Sequence, residues 1–352
     1  MVDLINLVQT LTTPHPLDRY LELIRPTLTT RVMRAEITHV RRSVLGSVTL
    51  TLRPTRQWAG HAPGQYVQIG VVIDGVRHTR CYSPVNVASR RDRHIQLTVK
   101  AHPDGLVSQY LYTRALPGMV VDLAPATGAF RLPEPRPERI VLISGGSGIT
   151  PVLAMLRALA DEGYPGEVAF LHYAKSPEVQ PHRPELAEIE RAHKNFRIES
   201  RYTSYGSGYF DYDELERVAP WFADAQTFVC GPPGLMDAVR KIFEAERLAD
   251  RLHAEEFTLS VAPVEMGEVF GTVRFAASGV SAQNNGSVLL EQAEAAGLTP
   301  DYGCRMGICF SCTAVRRTGC TRNVRTGDTD SDPDQPIQLC ISAPVGDVEI
   351  DI

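Results

Sequence analysis

No stretch of this chain stays apolar long enough to cross a bilayer. Apolar runs such as Ile140 to Ile143 and Val168 to Leu171 are far short of the roughly 20 residues a spanning helix needs. The start of the chain lacks the cationic stretch, apolar core and small-residue cleavage site of an export signal, so a cytoplasmic protein is expected. Excess basic charge is missing too. A net charge of -5 and a pI near 6.1 leave no electrostatic footprint for nucleic acid. Repeats and low-complexity segments are absent, and 352 residues, 43% of them hydrophobic, imply two or three folded domains.

Lysine disappears from the last part of the chain. Between Glu268 and Ile352 there are 11 Asp and Glu against 6 Arg and no Lys, a net of -5. Such a face either steers a basic partner, an effect that salt weakens, or only keeps a small domain soluble. Cysteine is scarce before that region: of seven, an odd number, only Cys81 and Cys230 precede it. The crowding suits a metal or cluster site in a reducing compartment better than a disulfide framework.

Texture divides the chain into parts. Residues 1–33 read as a helical leader broken at Pro14, Pro16 and Pro26, which packs on the next domain or docks on a membrane or partner. Residues 34–135 carry short alternating runs between turn signals and predict a small antiparallel β-barrel. Residues 136–257 alternate apolar strands, glycine turns and helices, which predicts an α/β domain with a parallel sheet covered on both faces. A linker, 258–267, leads to a final module, 268–352, with two strands, a helix over 287–296, a cysteine loop and further short strands.

Within that module Cys304, Cys309 and Cys312 follow the C-x4-C-x2-C spacing, with Cys340 as a distant fourth thiolate. This is the plant-type 2Fe-2S pattern. Gly303, Gly307 and Ser311 permit close approach, and their N–H groups can donate to sulfur. A structural zinc site is the alternative, against which stand the four-residue gap and the lack of nearby His. Cys320 and Cys81 read as an incidental thiol and a packing residue.

Two further motifs suit nucleotides. In Arg80-Cys81-Tyr82-Ser83 an arginine can neutralise a diphosphate, an aromatic ring can lie against an isoalloxazine, and a hydroxyl can reach a flavin nitrogen. Gly105-Leu106-Val107-Ser108 opens a helix whose free N–H groups favour phosphate. Each piece alone reads equally well as an ordinary strand arginine or helix cap. Gly145, Gly146, Ser147, Gly148, Ile149, Thr150 and Pro151 join an apolar strand to a helix without the G-x-G-x-x-G fingerprint, yet leave donors for a pyrophosphate. Cys230, Gly231, Pro232, Pro233 and Gly234 form a second strand-to-helix turn. Lys175, Arg183 and Arg201 lie at or after strand ends, where they serve a coenzyme 2'-phosphate or only solvation.

In order and motif the chain resembles the ferredoxin-NADP+ reductase superfamily, in the form that ends in a ferredoxin domain and serves oxygenases and desaturases. The resemblance implies a flavin barrel, a nucleotide domain and an α+β β-grasp ferredoxin domain. It assigns Arg80, Tyr82 and Ser83 to the flavin, and Gly105, Val107 and Ser108 to its diphosphate. It assigns Gly145, Gly146, Gly148, Thr150 and Pro151 to the dinucleotide, and Cys230, Gly231 and Pro232 to the nicotinamide. The segment 253–257 is similar to the family's closing segment, with Phe257 near the flavin. FAD is implied over FMN, and NADPH is expected over NADH. Ser83 and Cys230 are the expected catalytic pair, orienting flavin and nicotinamide for hydride transfer. The leader and the cysteine loop resemble reductases of membrane acyl-CoA desaturases, so such a desaturase is the expected partner, at the inner face of the membrane. A Rieske oxygenase, an alkane hydroxylase or a cytochrome P450 is the alternative acceptor; a non-catalytic electron-transfer subunit is the rival role.

Overall fold

A computed structural model of the chain describes residues 27, 33–87, 93–103, 105–206, 209–257, 269–303, 305, 307 and 310–352. The expected leader and linker lie outside these residues, apart from residues 27 and 33. The described chain falls into two compact units, with the main division after Glu256.

The first unit begins with six strands, β1 (Arg34–Val44), β2 (Ser47–Pro54), β3 (Val67–Ile73), β4 (Val76–Tyr82), β5 (Ile95–Lys100) and β6 (Val120–Leu123), and one helix, α1 (Leu106–Arg114). Alternation along β2 and β5 puts Val48, Leu50, Leu52, Ile95, Leu97 and Val99 inside. Each such side chain contributes roughly 1.5–3 kcal/mol on burial. The strand order is β4-β3-β6-β1-β2-β5. Here the expected barrel is corrected. The outer strands β4 and β5 are not hydrogen-bonded neighbours; among the described residues the chain after β4 meets β5 at the bridge between Pro84 and Leu97 and where the Gln96 N–H donates to Asn86 Oδ1. The result is a half-barrel.

The same unit continues through β7 (Arg139–Gly145), α2 (Ile149–Asp161), β8 (Glu167–Ala174), α3 (Arg183–Ala192), β9 (Phe196–Tyr202), α4 (Tyr212–Val218), β10 (Gln226–Cys230), α5 (Pro233–Ala245) and β11 (Leu252–Glu255). All five strands are parallel, in the order β11-β10-β7-β8-β9. The unbroken apolar run of β7 is what a central strand covered on both faces requires. Helix α4 escapes a hydrophobic-pattern reading because it is short; it begins where the Asp211 carboxylate accepts from the Glu214 N–H at 2.8 Å. Helix α5 ends at Ala245, two residues before Arg247 turns left-handed.

The second unit holds β12 (Thr272–Phe275), β13 (Val280–Gln283), α6 (Leu289–Ala295), β14 (Thr313–Asn323), β15 (Thr329–Asp330), β16 (Gln335–Gln338) and β17 (Ser342–Ile350). The sheet order is β13-β12-β17-β14-β15, with β16 also on β14. Among the described residues only the β12–β17 pair is parallel. Its core joins Phe275, Leu289, Leu290, Leu339 and Ile350 to Cys312 and Cys340.

Candidate active site

The parallel sheet changes direction between β7 and β10. From β7 the chain runs outward through β8 and β9, then returns to β10 on the other side. A crevice beyond the carboxyl ends at such a point is where open α/β sheets bind ligands. Both glycine turns lie there. Ser144 is in register with Cys230. A Cβ on Gly148 would strike the carbonyl oxygen of Cys230, and one on Gly145 would stand 2.6 Å from Pro232 Cδ. Backbone therefore lies on backbone, and glycine is the residue that fits. Thr150 is buried, its hydroxyl donating to the Ser147 carbonyl at 3.2 Å, and Pro151 sits inside the first turn of α2.

Two cavities open beside this turn. The larger, about 380 Å³, is lined by Gly145, Gly146, Tyr173, Lys175, Pro232 and Leu235 among others, a size suited to part of a nucleotide. The smaller lies between the half-barrel and the sheet, with Thr98, Lys100, Ser147, Thr150 and His172 on its walls. The two share Gly146, Ala174 and Lys175.

A row of polar residues crosses the sheet in register: Glu255 on β11, Cys230 on β10, Ser144 on β7 and His172 on β8. Burial pushes the Cys230 thiol well up, with Glu255 and Glu256 adding to the effect. It is a neutral thiol, not a thiolate. Burial also raises the Glu255 carboxyl to about 8. The residue keeps some exposed surface, but Oε2 is shut off from solvent with no hydrogen-bond partner among the described residues. His172 is fully buried and held down to about 3 by desolvation, its Nδ1 2.9 Å from Ser144 Oγ. Sequence reasoning passed over Glu255; an acidic residue at the end of a strand beside the Cys230 turn was the available signal.

On the flavin side, Arg80 and Tyr82 belong to β4, and Ser83 follows it. Ser83 is 2% exposed, and its hydroxyl has no partner among the described residues. An orphaned buried hydroxyl is what a site built for a polar ligand leaves behind. Gly105 precedes α1, whose first turn has no side-chain cap, so its N–H groups are open to an anion. Ser108 itself is engaged locally: its hydroxyl donates to the Gly105 carbonyl at 3.0 Å and accepts from the His102 N–H at 3.2 Å. Val107 packs into the half-barrel core. These features fit a flavin dinucleotide.

In the second unit Cys312 and Cys340 are each 2% exposed. The Cys340 N–H donates to Cys312 Sγ at 3.5 Å, and the Gly307 N–H donates to Cys340 Sγ at 3.3 Å. Gly307 has φ +72°, and a Cβ there would lie 2.6 Å from Ile341 Cδ1. Arg305 in the same loop stacks 4.0 Å above the Tyr302 ring and pairs with Glu294 of α6. Cys304 and Cys309 lie outside the described residues, and no group of three metal-binding side chains occurs among those described. Two dry sulfurs with N–H donors fit a cluster bound through thiolates.

Two family models match the chain, that of the oxidoreductase FAD-binding domain over residues 37–132 and that of the oxidoreductase NAD-binding domain over residues 142–241. An NADPH oxidoreductase of Mycobacterium tuberculosis is 38% identical over 347 residues, covering 97% of this chain and 90% of the relative. The glycine betaine monooxygenase reductase subunit of Pseudomonas aeruginosa is 29% identical over 317 residues, 82% of this chain and 86% of that subunit. Among solved structures, phthalate dioxygenase reductase, described as modular and transferring electrons from pyridine nucleotides to 2Fe-2S, superposes with a TM-score of 0.64. It is 23% identical, and the match covers 92% of this chain and 98% of that one.

Proposed function

The chain belongs to the ferredoxin-NADP+ reductase family of NAD(P)H oxidoreductases, with an FAD-binding and an NAD-binding domain, and on that premise we propose that it carries electrons from NADPH through FAD to a 2Fe-2S cluster and on to an oxygenase-type protein. The cluster ligands are Cys304, Cys309, Cys312 and Cys340, in a β-grasp ferredoxin domain. The observation that carries this reading is the buried Cys312 and Cys340 pair, tied by the Cys340 N–H, in a chain whose earlier part matches both nucleotide domains. Membrane acyl desaturases are the preferred acceptor, at the cytoplasmic face; Rieske oxygenases, alkane hydroxylases and cytochromes P450 are the alternatives. No helix among the described residues is long and apolar enough to cross a membrane.

Bound together, the flavin takes hydride as an electron pair and the cluster passes electrons on singly. The chain supplies position and electrostatics. Ser83, whose hydroxyl has no partner among the described residues, would offer it to the flavin edge, Tyr82 would offer the face of a ring, and Arg80 a charge for the diphosphate. Gly145, Gly146 and Gly148 would let the dinucleotide approach the backbone, and Gly231 and Pro232 would hold the nicotinamide near Cys230. Because its thiol stays neutral, Cys230 shapes the pocket and does no covalent chemistry. Glu255, in register with Cys230, has its carboxyl raised to about 8 by burial and would add little negative charge there at neutral pH.

The test is anaerobic purification, followed by metal and acid-labile sulfide analysis, an absorption spectrum and turnover with each acceptor class. Flavin bands with cluster absorption, and NADPH-dependent turnover with a desaturase, are expected. Protein with zinc or no metal removes the cluster, and turnover with another acceptor alone removes the desaturase.

A further inference from the structure

Two lysines approach the turn after β7, one from each half of the first unit. Lys100, the last residue of β5, comes from the half-barrel and puts its Nζ 3.7 Å from where a Cβ on Gly146 would stand. Lys175 follows β8 directly and lines both cavities. Neither has a carboxylate partner among the described residues, and no acidic side chain lines either cavity. Other cations near that edge are occupied. Arg201 pairs with Glu199 and Glu214, and Arg217 reaches Glu199 at 2.9 Å. Arg183, exposed at the start of α3, lines neither cavity.

Unpaired positive charge beside a cavity without carboxylates favours an anion. The two lysines stand at different places along the dinucleotide path. The Gly146–Gly148 turn, with Gly146 at φ +55°, offers N–H groups where a diphosphate would pass, and Lys100 faces that turn. Tyr209, Phe210 and Leu235 also line the larger cavity, apolar walls that suit an adenine. Lys175 and Thr203 line this larger cavity, whereas Lys100 lines only the smaller one. A coenzyme with a bare 2'-hydroxyl is usually met by a carboxylate; one with a 2'-phosphate is met by a cation.

We propose that Lys100 and Lys175 divide the phosphates of NADPH between them, Lys100 binding the diphosphate and Lys175 the 2'-phosphate. The assignment rests on the NADPH reading above. Lys100 therefore treats both coenzymes alike, and Lys175 makes the difference between them. The half-barrel is part of the coenzyme site, and coenzyme binding ties it to the parallel sheet.

The experiment uses the full-length flavoprotein and its Lys100→Met, Lys175→Met and Lys175→Arg variants, each checked by flavin absorbance and thermal melting. Binding of NADP+ and NAD+ to oxidised protein is measured by calorimetry, and KM for NADPH and NADH with ferricyanide as acceptor. Lys175→Met is expected to weaken NADP+ and raise the NADPH KM about tenfold, the loss of one charged contact, with NAD+ and NADH changed less than about twofold. Lys175→Arg retains most of the preference. Lys100→Met weakens both coenzymes by the same factor. Equal loss of both coenzymes in Lys175→Met, or no loss in Lys100→Met, overturns the assignment. Wild-type protein that binds NADP+ no better than NAD+ defeats the NADPH reading and the role of Lys175, while the response to Lys100→Met still decides the role of Lys100.

Discussion

Gly148 packs so closely on Cys230 that the carbonyl oxygen of one occupies the space a side chain on the other would need. Replacing Gly148 by Ala must push the two turns apart, at a cost of about 1–3 kcal/mol for inserting a methyl into a packed site. The expected outcome is a fall in kcat/KM with NADPH of about tenfold or more with flavin content unchanged. Stopped-flow reduction and a flavin absorbance ratio measure the two; an unaltered rate means the turns do not need this contact.

Ser83→Ala removes a hydroxyl that has no partner among the described residues. Without flavin, the variant should be as stable as the parent or more stable by up to about 1 kcal/mol, since an unsatisfied buried polar group is lost. With flavin, reduction by NADPH should slow while the flavin stays bound. If reduction proceeds at the parent rate, the hydroxyl plays no part in orienting the ring.

The Glu255 carboxyl binds its proton more tightly in the folded chain, at about 8, than the ordinary value of 4.5. Between those values the native state holds a proton that the unfolded state has released, so stability falls as pH rises. The loss begins near pH 4.5 and levels off above about pH 8. It amounts to a few kcal/mol at most. Glu255→Gln should flatten the profile in this window and leave the variant more stable than the parent at about pH 9. Denaturant titrations at about pH 5, 7 and 9 compare the two proteins, and parallel profiles would show that Glu255 ionises freely.

Gly307→Ala should deplete iron and sulfide while sparing the flavin. The glycine combines a left-handed φ of +72° with Ile341 side-chain atoms at 2.6 and 2.8 Å from where the added methyl would stand, and its N–H is a donor to Cys340 Sγ. Metal analysis normalised to flavin checks it, and full iron content in the variant would mean that the loop tolerates the methyl.

Arg316 is fully buried, with its guanidinium on Thr321 Oγ1 at 2.6 Å, the Asp330 and Asp332 carbonyls at 2.5 and 2.6 Å, and the Asp330 carboxylate at 3.1 Å. Arg316→Met strips the partners from these oxygens, and a loss of about 3–5 kcal/mol is expected, confined to the second unit. Two separated unfolding transitions, the first moved and the second not, are the sign to look for in calorimetry. A variant that melts as the parent does would place these carbonyls in water.

What the sequence disclosed depended on whether a residue's role is local. The run Ile140 to Ile143 followed by glycines is legible because a central parallel strand and its turn are written in consecutive residues. The antiparallel strands are legible from two-residue alternation instead, although that β4 and β5 stay apart, leaving a half-barrel, is not. The row joining Glu255, Cys230, Ser144 and His172 was not legible, since it exists only when four strands align. Arg316 lies on a strand with charged neighbours and reads as a solvent-facing residue; its burial comes from carbonyls more than a dozen positions away. Lys100 likewise reads as the polar end of a strand until the sheet is set beside it. The saturation of Arg201 by two carboxylates depends on strand and helix packing that spacing cannot express.

The grip of Arg316 on the Asp330 and Asp332 carbonyls reaches beyond stability. Asp328, Asp330, Asp332 and Asp334 are all exposed, on a stretch of main chain fastened from within. Asp330 and Asp334 are answered by Arg316 and Arg317, so the charge left for a basic surface is that of Asp328 and Asp332, on main chain whose anchoring leaves less conformational freedom to lose on contact.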